Sequence, residues 1–283
     1  MAKKLNGMAA VVTGSGSGIG REVALALAAE GAKVVVNDVG KDSGGKSFAE
    51  IVAKEIKSAG GEAFANNDSV ATMAGGENII RTTTHNFGRI DILVNCAGFS
   101  RNAPSAEISE KDWDEIIAVH LKGHFACTQP AIKEMIKQKS GRVINFSSRA
   151  GFLTAYGGLG SLPYATAKAG IVGFTMLLSA ELKQHGITVN GILPSAITKG
   201  FPEKRPRFGG GDLMGPEFVP PIIVYLATPE AKNITGRFFY ASAGDVIILN
   251  TPMQLSGPNK FIRKTGKWTV DELSQIIPPL LEI

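Results

Sequence analysis

The 283-residue chain is predicted to fold as an α/β protein: one doubly wound parallel sheet with helices on both faces. Three observations predict this. Short apolar runs of strand length alternate with helix-length stretches from Met8 to about Ala241. A glycine-rich turn, Gly14-Ser-Gly-Ser-Gly18-Ile-Gly20, joins the first run to the first helix. No linker or change of composition divides the chain, so a single domain is expected over residues 1–283. Its core spans about 5–250 and a C-terminal extension spans 250–283.

Met8–Thr13 reads as a buried strand and Arg21–Glu30 as a helix. A strand, a glycine-rich turn and a helix make the setting for a phosphate, because a helix N-terminus offers free N–H groups and a positive dipole end. Glycine lets the backbone come close to such a group. The spacing Gly14-x-x-x-Gly18-x-Gly20 departs from the common G-x-G-x-x-G, so the strand–turn–helix context carries the dinucleotide reading against that of a plain loop. Gly14, Ser17, Gly18 and Ile19 are its candidate contacts. Lys33–Asp38 is a second buried strand, ending in an acid twenty residues after Gly18. There Asp38 can bind ribose hydroxyls and repel a 2′-phosphate, so the expected cofactor is NAD; the alternative is a turn aspartate.

A helix near Gly45–Ala59 and a strand Ala63–Asn67 lead to Asp68 and Ser69, counted with the cofactor contacts. Asp68 either accepts from an adenine amino group or caps the helix expected near Thr72–Phe87. After the strand Ile90–Val94, Asn95-Cys96-Ala97-Gly98 leaves room for a flat ring, making Asn95, Ala97 and Gly98 candidates. Helices near Glu110–His120 and Gly123–Lys139 precede a strand Arg142–Phe146 that ends in Ser147-Ser148. A strand Thr188–Leu193 closes in Pro194-Ser195. A Gly-, Pro- and Arg-containing loop follows over Thr198–Gly215, then a helix Pro216–Ala227 and a last strand near Phe238–Ala241. The tail from Leu249 to Ile283 is expected to wrap the body or a neighbouring subunit.

The chemistry converges on Tyr164-Ala-Thr-Ala-Lys168. Tyrosine and lysine four apart share one helix face. Pro163 suits a first helical turn, and Ala169–Lys183 has few breakers. A free phenol titrates near pH 10, and a nearby ammonium favours its phenolate. Such a pair can exchange a proton with an alcohol or a carbonyl. Taken alone, the spacing is far better read as a surface helix turn.

Composition narrows the classes. The chain is 44% hydrophobic and 19% charged, enough to bury a core. Its net charge of +5 is spread without a basic block, which suits a modest attraction to anionic small ligands and does not call for nucleic acid. Two cysteines, Cys96 and Cys127, and four histidines without an H-E-x-x-H argue against a disulfide framework and a zinc site. The N-terminal apolar run is too short for a signal peptide, and no membrane span is expected, so a cytoplasmic protein is.

Thr13-Gly14-x-x-x-Gly18-Ile-Gly20, Asn95-x-Ala97-Gly98, Ser148 and Tyr164-x-x-x-Lys168, in that order, resemble the short-chain dehydrogenases/reductases over residues 5 to 250. The resemblance implies a Rossmann-like sheet of strand order 3-2-1-4-5-6-7, a homotetramer or homodimer, and hydride transfer at the nicotinamide. It implies Tyr164 as general acid/base, Lys168 as the group that lowers its pKa and holds the ribose, and Ser148 as the orienter of the substrate oxygen. Pro194, Ile197 and Thr198 would complete the cofactor contacts. Ser147 is a stand-in for Ser148, and Tyr156 falls to pocket lining within the extra loop Phe152–Gly160.

His120 stands where the family has asparagine, as either a packed helix residue or a polar relay beside Lys168. An ordinary histidine titrates near pH 6.5, and a neighbouring cation lowers that. Val119-His120-Leu121, Val36-Asn37-Asp38, Ala65–Val70, Pro194-Ser195 and Trp268-Thr-x-Asp271-Glu-Leu resemble the D-3-hydroxyacyl-CoA dehydrogenase branch. The function implied is an NAD-dependent interconversion of a secondary alcohol and a ketone, with a 3-hydroxyacyl-CoA as one substrate class. Lys204, Arg205 and Arg207 in the lid Gly200–Gly215 then either meet CoA phosphates or are solvated charges. A steroid or aromatic alcohol dehydrogenase, and a non-catalytic subunit of a hetero-oligomer, are the competing functions.

Overall fold

The strands lie in one eight-stranded sheet of order β3-β2-β1-β4-β5-β6-β7-β8. The structure is a computed structural model describing residues 3–151, 162–198 and 214–249. The strands are β1 (Ala9–Thr13), β2 (Lys33–Asn37), β3 (Ala63–Asn66), β4 (Ile92–Asn95), β5 (Gly141–Phe146), β6 (Ile187–Pro194), β7 (Phe238–Ser242) and β8 (Asp245–Leu249). The helices are α1 (Gly18–Ala29), α2 (Phe48–Ser58), α3 (Met73–Phe87), α4 (Glu110–Ile117), α5 (Gly123–Gln138), α6 (Leu162–Leu182) and α7 (Pro220–Ala227). Tyr156 and its loop, Lys204, Arg205 and Arg207, and the tail with Trp268 and Asp271 lie outside the described residues.

Pairing is parallel from β3 through β7, so side chains along each central strand alternate between two covered faces. Ala10 and Val12 of β1, with Val34 and Val36 of β2, pack toward α1, α2 and α7 through Val23, Leu27, Val52, Ile56 and Ile223. Val11 and Val35 face the other way and meet Ile79 and Ile80 of α3 and Cys127 and Met135 of α5. Each fully buried aliphatic side chain contributes roughly 1.5–3 kcal/mol, which explains why continuous apolar runs, rather than alternating ones, form these strands.

Three features differ from the sequence-based expectation. The final strand β8 pairs antiparallel with β7 and was hidden by its half-exposed pattern, with Val246 and Ile248 on the open side. The two helices expected around residue 120 are one continuous path, in which a π-helical turn, Ala118–Lys122, joins α4 to α5. π-turns gather at functional sites, and this one carries His120 inward. The stretch Leu162–His185 is, with a mean hydropathy of 1.2, long and apolar enough to cross a membrane, contrary to the expectation of no such segment. In this fold it is α6, packed on β6 with Tyr164, Lys168 and Thr175 buried.

Candidate active site

The carboxyl ends of β1, β2, β4, β5 and β6 open into a cavity of about 740 Å³. Ligands of doubly wound sheets bind at this edge, because strand order reverses there and the flanking loops part. At its base Gly14 has φ of +65°, and a Cβ there would sit 2.6 Å from the Ala97 Cα. The turn after β1 and the turn after β4 therefore touch backbone to backbone. Thr13 fixes that contact: its Oγ1 accepts from the N–H groups of both Cys96 and Ala97 at 3.1 Å. The Cβ-free surface and the N-terminus of α1 suit a pyrophosphate, and Gly14, Ser17, Gly18 and Ile19 line the cavity there.

Asp38, one residue past β2, has its carboxylate held in place. Its Oδ2 accepts from Gly16 N–H at 2.9 Å and its Oδ1 from Gly40 N–H at 2.7 Å. Each oxygen keeps further acceptor capacity, and Asp38 lines the cavity. Asp68 also lines the cavity, with Ser69. Thr72, not Asp68, caps α3, accepting from Gly75 N–H at 3.0 Å, because the helix begins at Met73. The Asp68 carboxylate instead accepts from Asn66 Nδ2 at 2.8 Å.

Ala97, Gly98, Pro194, Ile197 and Thr198 line the cavity as well, but Asn95 does not. Asn95 is buried in β4, its Nδ2 donating to Thr128 Oγ1 and Asn145 Oδ1, so it ties α5 to β5 beneath the site. Cys96, the neighbouring residue that spacing left aside, lines the cavity in its place, and burial pushes its thiol up to about 12.

Tyr164 and Lys168 face the cavity from the first turns of α6, with the Lys168 Nζ 5.5 Å from the Tyr164 ring centre. Their surroundings separate the two serines after β5. Ser147 Oγ donates to the Lys168 carbonyl at 2.8 Å and is buried, so it holds the helix. Ser148 hydrogen-bonds the Tyr164 hydroxyl. Burial raises the Tyr164 phenol above its ordinary range, and the Ser148 bond works against that rise. The expected lowering by Lys168 does not prevail, because burial also weakens the ammonium, bringing Lys168 down to about 8, and the ammonium donates to Phe146 O at 2.7 Å.

His120 is buried, edge-on to the Tyr164 ring at 5.2 Å between centres. Its Nε2 lies 2.7 Å from the Phe99 carbonyl oxygen and 3.0 Å from the Phe99 N–H, so one tautomer donates to the former and the other accepts from the latter. A side chain at Gly98 would strike the imidazole, which is why this turn needs glycine. Burial first, and Lys168 second, take His120 down to about 3, well below the ordinary 6.5. It therefore stays neutral across the physiological range. Three groups were not singled out from sequence: the Thr13 clamp, the Gly16 N–H on Asp38, and the Phe99 backbone. Gly16 was visible within the glycine run; the other two depend on contacts between distant turns.

The sequence profile described as short chain dehydrogenase matches residues 8–206. The chain is 39% identical over 245 residues to peroxisomal multifunctional enzyme type 2 of Drosophila melanogaster, covering 85% of this chain and 40% of that one. It therefore spans well under half of that relative. It is 40% identical over 255 residues to the 3-oxoacyl-[acyl-carrier-protein] reductase of Synechocystis sp., covering 86% of this chain and 98% of that one. Among solved structures, a short chain dehydrogenase from Mycobacterium avium superimposes with a TM-score of 0.85 at 40% identity, over 99% of this chain and 96% of that one.

Proposed function

We propose that this chain, which belongs to the short chain dehydrogenase family, is an NAD-dependent oxidoreductase interconverting a secondary alcohol and a ketone on a 3-hydroxyacyl thioester. The observation that carries the proposal is one cavity lined both by Asp38 and by the Tyr164–Lys168 pair. Gly14, Ser17 and Gly18 would hold the pyrophosphate of NAD, and Asp38 the ribose hydroxyls. The fixed Asp38 carboxylate would meet a 2′-phosphate with like charge, which favours NAD over NADP. Bound NAD supplies the hydride acceptor or donor.

The protein's own groups handle the proton. Ser148, bonded to the Tyr164 hydroxyl, orients the substrate oxygen beside it. Tyr164 takes the alcohol proton in the oxidative direction and returns it in the reductive one. Burial brings Lys168 down to about 8 and holds the Tyr164 phenol above its ordinary range, so the Lys168 ammonium is the first of the two to give up its proton.

The thioester class is supported by the Synechocystis relative, named for a 3-oxoacyl substrate. Steroid and aryl alcohols are the second class, because the cavity lining includes the apolar side chains of Phe99 and Val119. NAD reduction over a panel of 3-hydroxyacyl-CoAs, hydroxysteroids and aryl alcohols decides between them. A kcat/KM for a 3-hydroxyacyl-CoA at least about tenfold above the others is expected, a difference of about 1.4 kcal/mol in transition-state binding. No turnover of any member would leave the non-catalytic subunit as the better account.

A further inference from the structure

Two buried asparagines end adjacent strands at the edge that opens into the cavity. Asn37 closes β2 and Asn66 closes β3, paired in register, with 2% and 7% of their surfaces exposed. A buried amide weakens the fold unless its donors and acceptors are engaged. The Asn66 amide has all four of its bonds. Its Oδ1 accepts from Asn37 Nδ2 and from the Asp68 N–H, both at 2.9 Å. Its Nδ2 donates to Asp68 Oδ2 at 2.8 Å and to Thr82 Oγ1 at 3.0 Å.

That set permits one orientation of the amide. Turned over, it would aim its NH2 at two donors, Asn37 Nδ2 and the Asp68 N–H. Thr82 enforces the same choice, because its hydroxyl donates to the Asn78 carbonyl at 2.8 Å and leaves its oxygen to accept. Asn37 Nδ2 also donates to the Asp68 carbonyl at 2.9 Å, so Asp68 is held through its backbone and its side chain by the ends of both strands. Asp68 lines the cavity, and its carboxylate keeps acceptor capacity beyond the Asn66 bond.

The strand order β3-β2-β1 sets what Asp68 meets. In the reading proposed above, the pyrophosphate lies at the end of β1 and a ribose at Asp38, one residue past β2. The next group along the dinucleotide is the purine base, and the next strand is β3, beyond whose end Asp68, Ser69 and Val70 line the cavity. An ionised carboxylate only accepts, so it selects a base edge that carries a donor, as the 6-amino group of adenine does. We propose that Asn66 is a positioning residue: it fixes the Asp68 carboxylate as an acceptor for the adenine amino group, so that cofactor binding depends on that group. The inference rests on NAD lying in this cavity, the reading proposed above.

Fluorescence titration of the full-length protein tests it without turnover. The two ligands are NADH and the reduced analogue whose purine carries hydrogen in place of the 6-amino group. The parent should bind NADH at least about tenfold tighter than the analogue, the scale of one hydrogen bond to a charged group. Asn66→Ser and Asn66→Ala each draw the side chain out of reach of Asp68 Oδ2, and thermal melts report which of them is folded. Either folded variant should bring the ratio below about twofold, with the loss falling on NADH and the Kd of the analogue close to that of the parent. Asp68→Ala should give the same pattern. A folded Asn66 variant that keeps the parent ratio, or that weakens both dinucleotides alike, would overturn the proposal and leave Asn66 as a tie between strands. A parent that binds both dinucleotides equally would overturn it as well. Should the parent bind neither, the NAD reading itself falls and this inference with it.

Discussion

Acid stability offers a direct check on the buried imidazoles. His120 is held near 3 in the folded state and titrates near 6.5 when unfolded. The folded value is the lower one, so the neutral ring belongs to the native state and the unfolded chain takes the proton first. Stability from this group is whole above pH 6.5 and is lost as pH falls toward about 3. Between pH 7 and pH 5 the unfolded ring passes through its own titration while the folded ring stays neutral. The linkage relation then gives a loss of about 2 kcal/mol from His120 by pH 5, and His124 adds to it with the same sign. Glu230 and Asp112, whose folded carboxylates are held low by Lys4 and by Ser109 and Arg101, contribute mainly below this window. Urea unfolding at both pH values, for the parent and for His120→Asn, isolates the term. The variant should lose about 2 kcal/mol less than the parent on going to pH 5. Equal losses in the two proteins would mean that His120 is hydrated or charged in the native state, and the burial argument would fail.

Three further outcomes follow from single contacts. Gly14→Ala places a Cβ 2.6 Å from the Ala97 Cα at a φ of +65°, a strain of about 1–3 kcal/mol, and NADH titration should show at least about tenfold weaker binding. Asp38→Ala should narrow the kcat/KM preference for NAD over NADP, which in the parent is expected on the order of 10²-fold, or about 2.7 kcal/mol; equal use of both cofactors by the parent would sink the Asp38 assignment. Ser148→Ala should lower kcat by on the order of 10²-fold, while Ser147→Ala, which loses only the bond to the Lys168 carbonyl, should lower the melting temperature first; the reverse pattern would exchange their roles.

Most of the sheet could be read from the chain because a doubly covered strand must be apolar throughout. Val34–Val36 and Ile92–Val94 announce themselves for that reason. The strand β8 did not, since one of its faces is open and its pattern is shared with exposed loops. Within the site, residues whose role follows from chemical type at short spacing were legible: Tyr164 with Lys168, and Asp38 after its strand. Asn95 misled because a motif position says nothing about which way a strand side chain points; it faces Thr128 and Asn145, away from the cavity. His120 was legible as a departure from pattern, but not its bond to Phe99, which needs the π-turn and a loop 21 residues away to meet. The balance at Tyr164 was also out of reach, because desolvation depends on the packing around the ring rather than on the neighbour four residues on.

The most direct test of the central claim is Tyr164→Phe, measured for both NAD-dependent turnover of the best 3-hydroxyacyl-CoA and NADH binding. The substitution keeps the ring against His120 and removes only the hydroxyl bonded to Ser148. Turnover should fall by on the order of 10²-fold or more, with NADH binding and melting temperature close to those of the parent. Turnover near the parent level in the folded, NADH-binding variant would contradict the assignment of Tyr164 as the acid–base group.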